Sequence, residues 1–239
     1  VSGMVKGQVR TLNTDQDSIR AMEKRYRNTF FSEVKFSPDI PDIRTVWEPA
    51  RLQHVTILLW QVMVDPRSPT AARAEQCAKA SVLRWLADNP FPFGPHYLSV
   101  MECGLRIPVF FYSLKVLTDL SSREQGTILE ALYHHAWLIS KRLSLYSSLG
   151  NHTVAECLGL VLAGALFQET AAGRRWLKTG YELLKQEAGH QILDDGGPAE
   201  QSFQYHRFVL DLYWLAVDFL GKNTALDCAR IRERLVKGE

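Results

Sequence analysis

Three short stretches of this 239-residue chain hold most of the side chains able to move protons or bind anions. The densest is Glu200, Gln201, Tyr205, His206 and Arg207: a carboxylate, an amide, a phenol, an imidazole and a guanidinium within one run of residues. A second is Gly150-Asn151-His152, with Glu156 four positions after the histidine. The third is Gly94-Pro95-His96-Tyr97, followed by Met101-Glu102 and Arg106. A phenol titrates near about 10, so it carries its proton at neutral pH and can donate it. Amide and imidazole groups can stabilise a carboxylate or a developing oxyanion by hydrogen bonding, and a guanidinium fork binds carboxylates in pairs of bonds. This is more polar chemistry than packing needs, and it marks a candidate site. Plainer roles compete: Asn151 is a good helix cap, His152–Glu156 has the spacing of a helical side-chain pair, and Tyr205 can roof a core.

Positioning these groups falls to helices. Asp194-Asp195-Gly196-Gly197 reads as a turn and Pro198 suits a first helical position, so a helix is expected over 198–220 with Gln201 and Tyr205 on one face. Apolar residues recur with helical period elsewhere. They predict a helix opening at Trp47 and ending before Asp65-Pro66, then helices over 70–88, 97–119, 122–145, 151–166, 172–188 and 224–236. Residues 1–46 read as an N-terminal arm with a helix over 15–30 and a proline-rich loop at 36–42, and 47–239 as the main domain. No segment alternates as a strand. The class is all-α, about eight helices joined by short turns and hence antiparallel hairpins. With no fixed-period repeat, a closed ring of hairpins fits better than a solenoid. All three polar stretches begin odd-numbered helices of the main domain. Such helices start at the same end of a hairpin stack, where free N–H groups favour anions.

Apolar content of 46%, charged content of 23% and a formal charge of +2 are those of an ordinary globular chain and give no argument for nucleic acid. The pairs Lys24-Arg25, Lys141-Arg142 and Arg174-Arg175 read as solvated helix faces. No apolar run is long enough for membrane insertion. Cys77, Cys103, Cys157 and Cys228 lie apart with no ligand spacing, which points to buried free thiols and no metal site. Trp60, Trp85, Trp137, Trp176 and Trp214 read as core.

Gly150-Asn151-His152, followed by Asp195-Gly196-Gly197-Pro198-Ala199-Glu200-Gln201-Ser202 and Tyr205-His206, resembles the heparinase II/III and alginate lyase superfamily. Trp47-Glu48 with Arg51, and Asn89-Pro90, Gly94, Met101-Glu102 and Arg106, resemble its earlier signature in the same order, so that the likeness spans roughly residues 42 to 220. The resemblance implies an incomplete (α/α) toroid of antiparallel helical hairpins, followed in the same protein by a C-terminal β-sheet domain that often carries a structural metal. No cofactor is implied in the present region. It also implies cleavage of a uronic-acid polysaccharide by β-elimination, in the periplasm or outside the cell. Asn151, with His152 beside it, matches the group that neutralises the uronate carboxylate. Tyr205 matches the tyrosine that donates a proton to the leaving oxygen and in some members also takes the C5 proton. Glu200, Gln201, His206, Arg207, His96, Tyr97, Glu102 and Arg106 would bind the sugar rings or support that binding. His96-Tyr97 stands where many members have Asn-Trp.

Two other functions fit the residues. A glycoside hydrolase on the same ring would need two carboxylates across the bond, for which Glu200 with Asp194 or Asp195 is the close acidic set and Glu102 a distant candidate. A non-catalytic module that binds acidic glycans would need none.

Overall fold

A computed structural model describes residues 16–35, 42–146 and 150–239. Its helices are α1 (Gln16–Tyr26), α2 (Ile43–Ala50), α3 (Gln53–Val64), α4 (Pro69–Asp88), α5 (Val100–Val116), α6 (Ser122–Arg142), α7 (Asn151–Leu166), α8 (Ala171–Gln191), α9 (Phe203–Asn223) and α10 (Ala229–Gly238). Among the described residues there is no strand, only the isolated bridges Phe30–Phe93 and Ile192–Pro198. The proline-rich loop expected at 36–42 lies outside the described residues except for Asp42.

Consecutive hairpins build two layers. Helices α3, α5, α7 and α9 lie side by side in that order, and α4, α6, α8 and α10 back them. This is the incomplete (α/α) toroid. Its centre is α7, where Asn151 and every residue from Thr153 to Gly164 are buried. A helix apolar all round has no solvent face to offer and must sit inside, here between α5, α6, α8 and α9. Gly104 makes the α5–α7 contact possible, because a Cβ there would lie 2.5 Å from the Ala155 carbonyl oxygen. Each fully buried leucine of α7, such as Leu158 or Leu162, contributes about 2 kcal/mol by leaving water.

Local signals set most boundaries. Ser68 caps α4 by accepting from the Ala71 N–H, with Pro69 at the first position. Ser121 and Glu124 form a reciprocal capping box on α6, and the Ser121 N–H and hydroxyl pull the Glu124 carboxyl down to about 2.

Several expectations need correction. The helix expected to open at Trp47 is two helices: α2 begins at Ile43, capped by Asp42, and ends at a sharp corner where Leu52 has φ 58°. The helix expected over 198–220 starts at Phe203 instead. Pro198 is spent in a bridge to Ile192, and the backbone turns again at Gln201, with φ 50°. Gln201 and Tyr205 therefore share no helical face. Cys77 is exposed, and so are Trp60 and Trp137. Among the described residues no helix is long and apolar enough to cross a membrane.

Candidate functional site

The start of α7 is where the second and first polar stretches meet. Gly150 has φ 128°, and a Cβ on it would lie 2.8 Å from a Glu200 carboxylate oxygen, so a side chain there would block the contact that follows. Through that gap the Glu200 carboxylate accepts the Asn151 backbone N–H at 3.1 Å and the Asn151 amide Nδ2 at 2.8 and 2.9 Å. Glu200 reaches this place because its turn is stitched to the end of α8: Ala199 N–H donates to the Gln191 carbonyl at 3.0 Å, and Leu193 N–H to Gly197 at 2.9 Å.

Beside this clasp opens a cleft of about 720 Å³. Its walls are helical faces at turn spacing. Arg44, Trp47, Glu48 and Arg51 line it from α2 and the residue that ends it; Gln204, Arg207, Phe208 and Asp211 line it from α9, together with Tyr205. The starts of α5 and α7 complete it with Met101, Glu102, Asn151 and His152. Tyr205 is half exposed. Glu102 is fully buried and holds Arg51 by two parallel bonds, Nε to Oε2 at 2.8 Å and Nη2 to Oε1 at 2.7 Å. Arg44 is tied to Asp42, whereas Arg207 has no ion pair among the described residues. Burial pushes the His152 imidazole below its ordinary range, aided by Arg51 and partly opposed by Glu102 and Glu200. It is neutral at neutral pH.

His152 does not pair with Glu156. That carboxylate instead accepts the Ser144 N–H at 2.8 Å and the Ser144 hydroxyl at 2.7 Å, while the Thr153 hydroxyl donates to the Ser144 carbonyl at 2.6 Å. Burial raises Glu156 to about 7, the Ser144 bonds opposing.

The third polar stretch splits. Glu102 reaches the cleft, but His96, Tyr97 and Arg106 lie in the interior, at most 1% exposed. Arg106 donates from Nη2 to the His96 carbonyl at 2.5 Å and from Nε to His135 Nε2 at 3.1 Å, and it stacks on Trp85. Accepting at Nε2 leaves His135 to donate Nδ1–H to the Ala131 carbonyl, at 2.8 Å. Tyr97 donates to the Asn89 carbonyl at 2.6 Å and His96 meets Glu23 at 2.9 Å. His206 faces the Gly238 carbonyl at 2.8 Å, and Gln201 sits exposed on its turn without lining the cleft. Sequence reasoning missed Arg44, Gln204, Phe208 and Asp211; the spacings 44/47/48/51 and 204/207/208/211 each mark one helical face and would have found them.

Residues 77–227, more than half of the chain, match the family model for the heparinase II/III N-terminus. The chain belongs to this family. As a heparinase II/III N-terminus it is 32% identical over 76 residues to a heparin-sulfate lyase of Bacteroides stercoris, a match covering 32% of this chain and 11% of the relative. It is 38% identical over 69 residues to a heparin-sulfate lyase of Bacteroides thetaiotaomicron, over 28% of this chain and 10% of that one. Its fold matches the crystal structure of heparinase III with a TM-score of 0.62 at 18% identity, over 100% of this chain and 40% of that structure. The chain thus spans well under half the length of these relatives.

Proposed function

We propose that this heparinase II/III N-terminus forms one wall of a polysaccharide lyase site that cleaves a uronic-acid-containing polysaccharide by β-elimination. The observation that carries the reading is the convergence of Asn151, His152, Tyr205 and Arg207 on one cleft from separate helices. The proton on C5 is hardly acidic while the adjacent carboxylate keeps its full charge; donors at the start of α7 and the Asn151 amide offset that charge. The neutral His152 imidazole has a nitrogen free to accept the C5 proton. The C5–H electrons form the C4–C5 double bond, the C4–O bond breaks, and the leaving oxygen takes its proton from the Tyr205 phenol. Arg207 supplies the unpaired cation for an acidic ring.

Glu200 gives this site a built-in competitor. Its carboxylate already sits on the Asn151 donors that the reading assigns to the uronate, so an acidic sugar binds by displacing or sharing that contact. The carboxylates named for a hydrolase are committed elsewhere: Asp194 to Arg234, Asp195 to the Gly197 N–H, Glu200 to Asn151 and Glu102 to Arg51.

Incubating the intact protein with uronic-acid polysaccharides tests the reading. The expected product absorbs in the ultraviolet through its new double bond, and Asn151→Ala slows its release about 100-fold or more. New reducing ends without that absorbance would overturn it in favour of hydrolysis.

A further inference from the structure

Two surface grooves away from the cleft differ in how their charges are matched. The one between α8 and α10 is lined by both signs and pairs most of them, Lys185 with Glu182 at 2.9 Å and Arg234 with Asp194 at 2.5 Å, with Arg230 left without an ion pair among the described residues. The other, about 520 Å³, runs between α6 and α8 with Leu160 of α7 as its floor. Tyr133, Trp137 and Lys141 stand one turn apart along one face of α6, opposite Arg175 and Trp176 of α8. No carboxylate lines this groove, and neither Lys141 nor Arg175 has an ion pair among the described residues.

The aromatic rings are exposed yet fixed. Tyr133 is 37% and Trp137 41% accessible. Behind Tyr133 lie the buried Trp176, with ring centroids 5.1 Å apart, and Phe167 at 5.6 Å. Trp137 is braced edge-on by Phe91 at 6.2 Å. Rings held from behind lose little freedom when something packs on their open faces. An aromatic face takes the C–H face of a sugar ring, and unpaired cations beside it favour anionic substituents. The volume lies in the range of small-ligand sites.

We propose that the α6–α8 groove is a second carbohydrate-binding site, taking an acidic oligosaccharide whose rings lie on Tyr133 and Trp137 and whose carboxylates or sulfates meet Lys141 and Arg175. Ser140 and Thr179 add hydroxyls at its rim. A polymer held here raises the effective concentration of its neighbouring segments at the cleft. That last consequence rests on the lyase reading; the binding itself does not.

Calorimetric titration of the intact protein tests it, with Tyr205→Phe present to stop turnover and a heparin-derived octasaccharide as probe, against cellohexaose as the neutral control. The octasaccharide should show two sites. Trp137→Ala should remove one of them, and Lys141→Gln with Arg175→Gln should weaken that same site about tenfold or more, the worth of one charge-assisted contact. Lys141 and Arg175 are exposed, so their variants should leave the melting temperature unchanged. Trp137→Ala also gives up its packing on Phe91 and lowers it, so its binding is read at a temperature where it is folded. Cellohexaose should not bind the groove. A single site, lost in the groove variants but not in Asn151→Ala, would support the groove and count against the cleft. Octasaccharide binding indifferent to every groove variant would overturn the proposal and leave the surface to a protein partner. Equal affinity for cellohexaose would overturn it as well.

Discussion

The polar clusters around Arg106 and around Asn151 draw on the same kinds of side chain, and both stand near helix starts, yet they end in opposite environments. Around Arg106 the protein supplies partners for Nη2, Nε and the Tyr97 hydroxyl, namely the His96 carbonyl, His135 and the Asn89 carbonyl, while Arg106 Nη1 and His96 Nδ1 are buried without one. Around Asn151 the unmatched groups line a cleft instead. Glu200 occupies the amide, but Tyr205, His152 and Arg207 face open volume. Depth along the helix makes the difference. Arg106 lies two turns into α5, where its side chain meets the neighbouring α6. Asn151 is the first residue of α7, directly after a glycine that keeps the approach open. A guanidinium or an imidazole thus becomes structural or available according to whether the fold encloses it or leaves it facing a cleft.

Replacing Arg106 should break the interior cluster. Arg106→Ala strands the His96 carbonyl and His135, removes the cation stacked on Trp85 and leaves a void. The expected loss is about 3–5 kcal/mol of unfolding free energy, measured by urea denaturation, with turnover per folded molecule unchanged. A turnover defect in the folded fraction would erase the distinction between the two clusters.

Glu156 lies between the two environments and gives a pH test. Its folded carboxyl titrates near about 7, against an ordinary value of 4.5 for the unfolded chain. A raised folded value stabilises fully below the unfolded value and loses that contribution as pH rises through the folded one. Stability should therefore fall by about 3 kcal/mol or less between pH 4.5 and 7. Glu156→Gln, which still accepts from Ser144, should flatten the curve; parallel curves for variant and wild type would show that Glu156 does not set it.

A smaller effect sharpens the account of the cleft. Glu200→Gln removes the internal anion from Asn151 and should lower KM for an acidic substrate about threefold, the scale of a partly screened like charge. A raised KM together with a lower melting temperature would make Glu200 a structural clasp alone.

Much of this was legible in the chain. The apolar period located the hairpins, and the limits expected for the central helix, 151–166, are those of α7. The start of α9 was not legible. Pro198 carries a strong local signal for a first helical turn, but the signal that prevails is tertiary: Ala199 donates to Gln191, and the turn continues to Gln201. The same limit affects His96, Tyr97 and Arg106, whose types suggest a site while their partners, Glu23, Asn89 and His135, lie far away in sequence. Trp137 shows the reverse. Helical periodicity suggests core, and only the packing of α6 against α8 shows its ring left open.

The most direct measurement removes one hydroxyl from each environment. In the intact protein, Tyr97→Phe and Tyr205→Phe are compared for melting temperature and for release of ultraviolet-absorbing product from a uronic-acid polysaccharide. Tyr97→Phe should cost about 1 kcal/mol of stability and leave turnover intact, since its hydroxyl serves the Asn89 carbonyl. Tyr205→Phe should leave the melting temperature unchanged and lower product release about 100-fold or more. Full turnover in Tyr205→Phe would contradict the central claim.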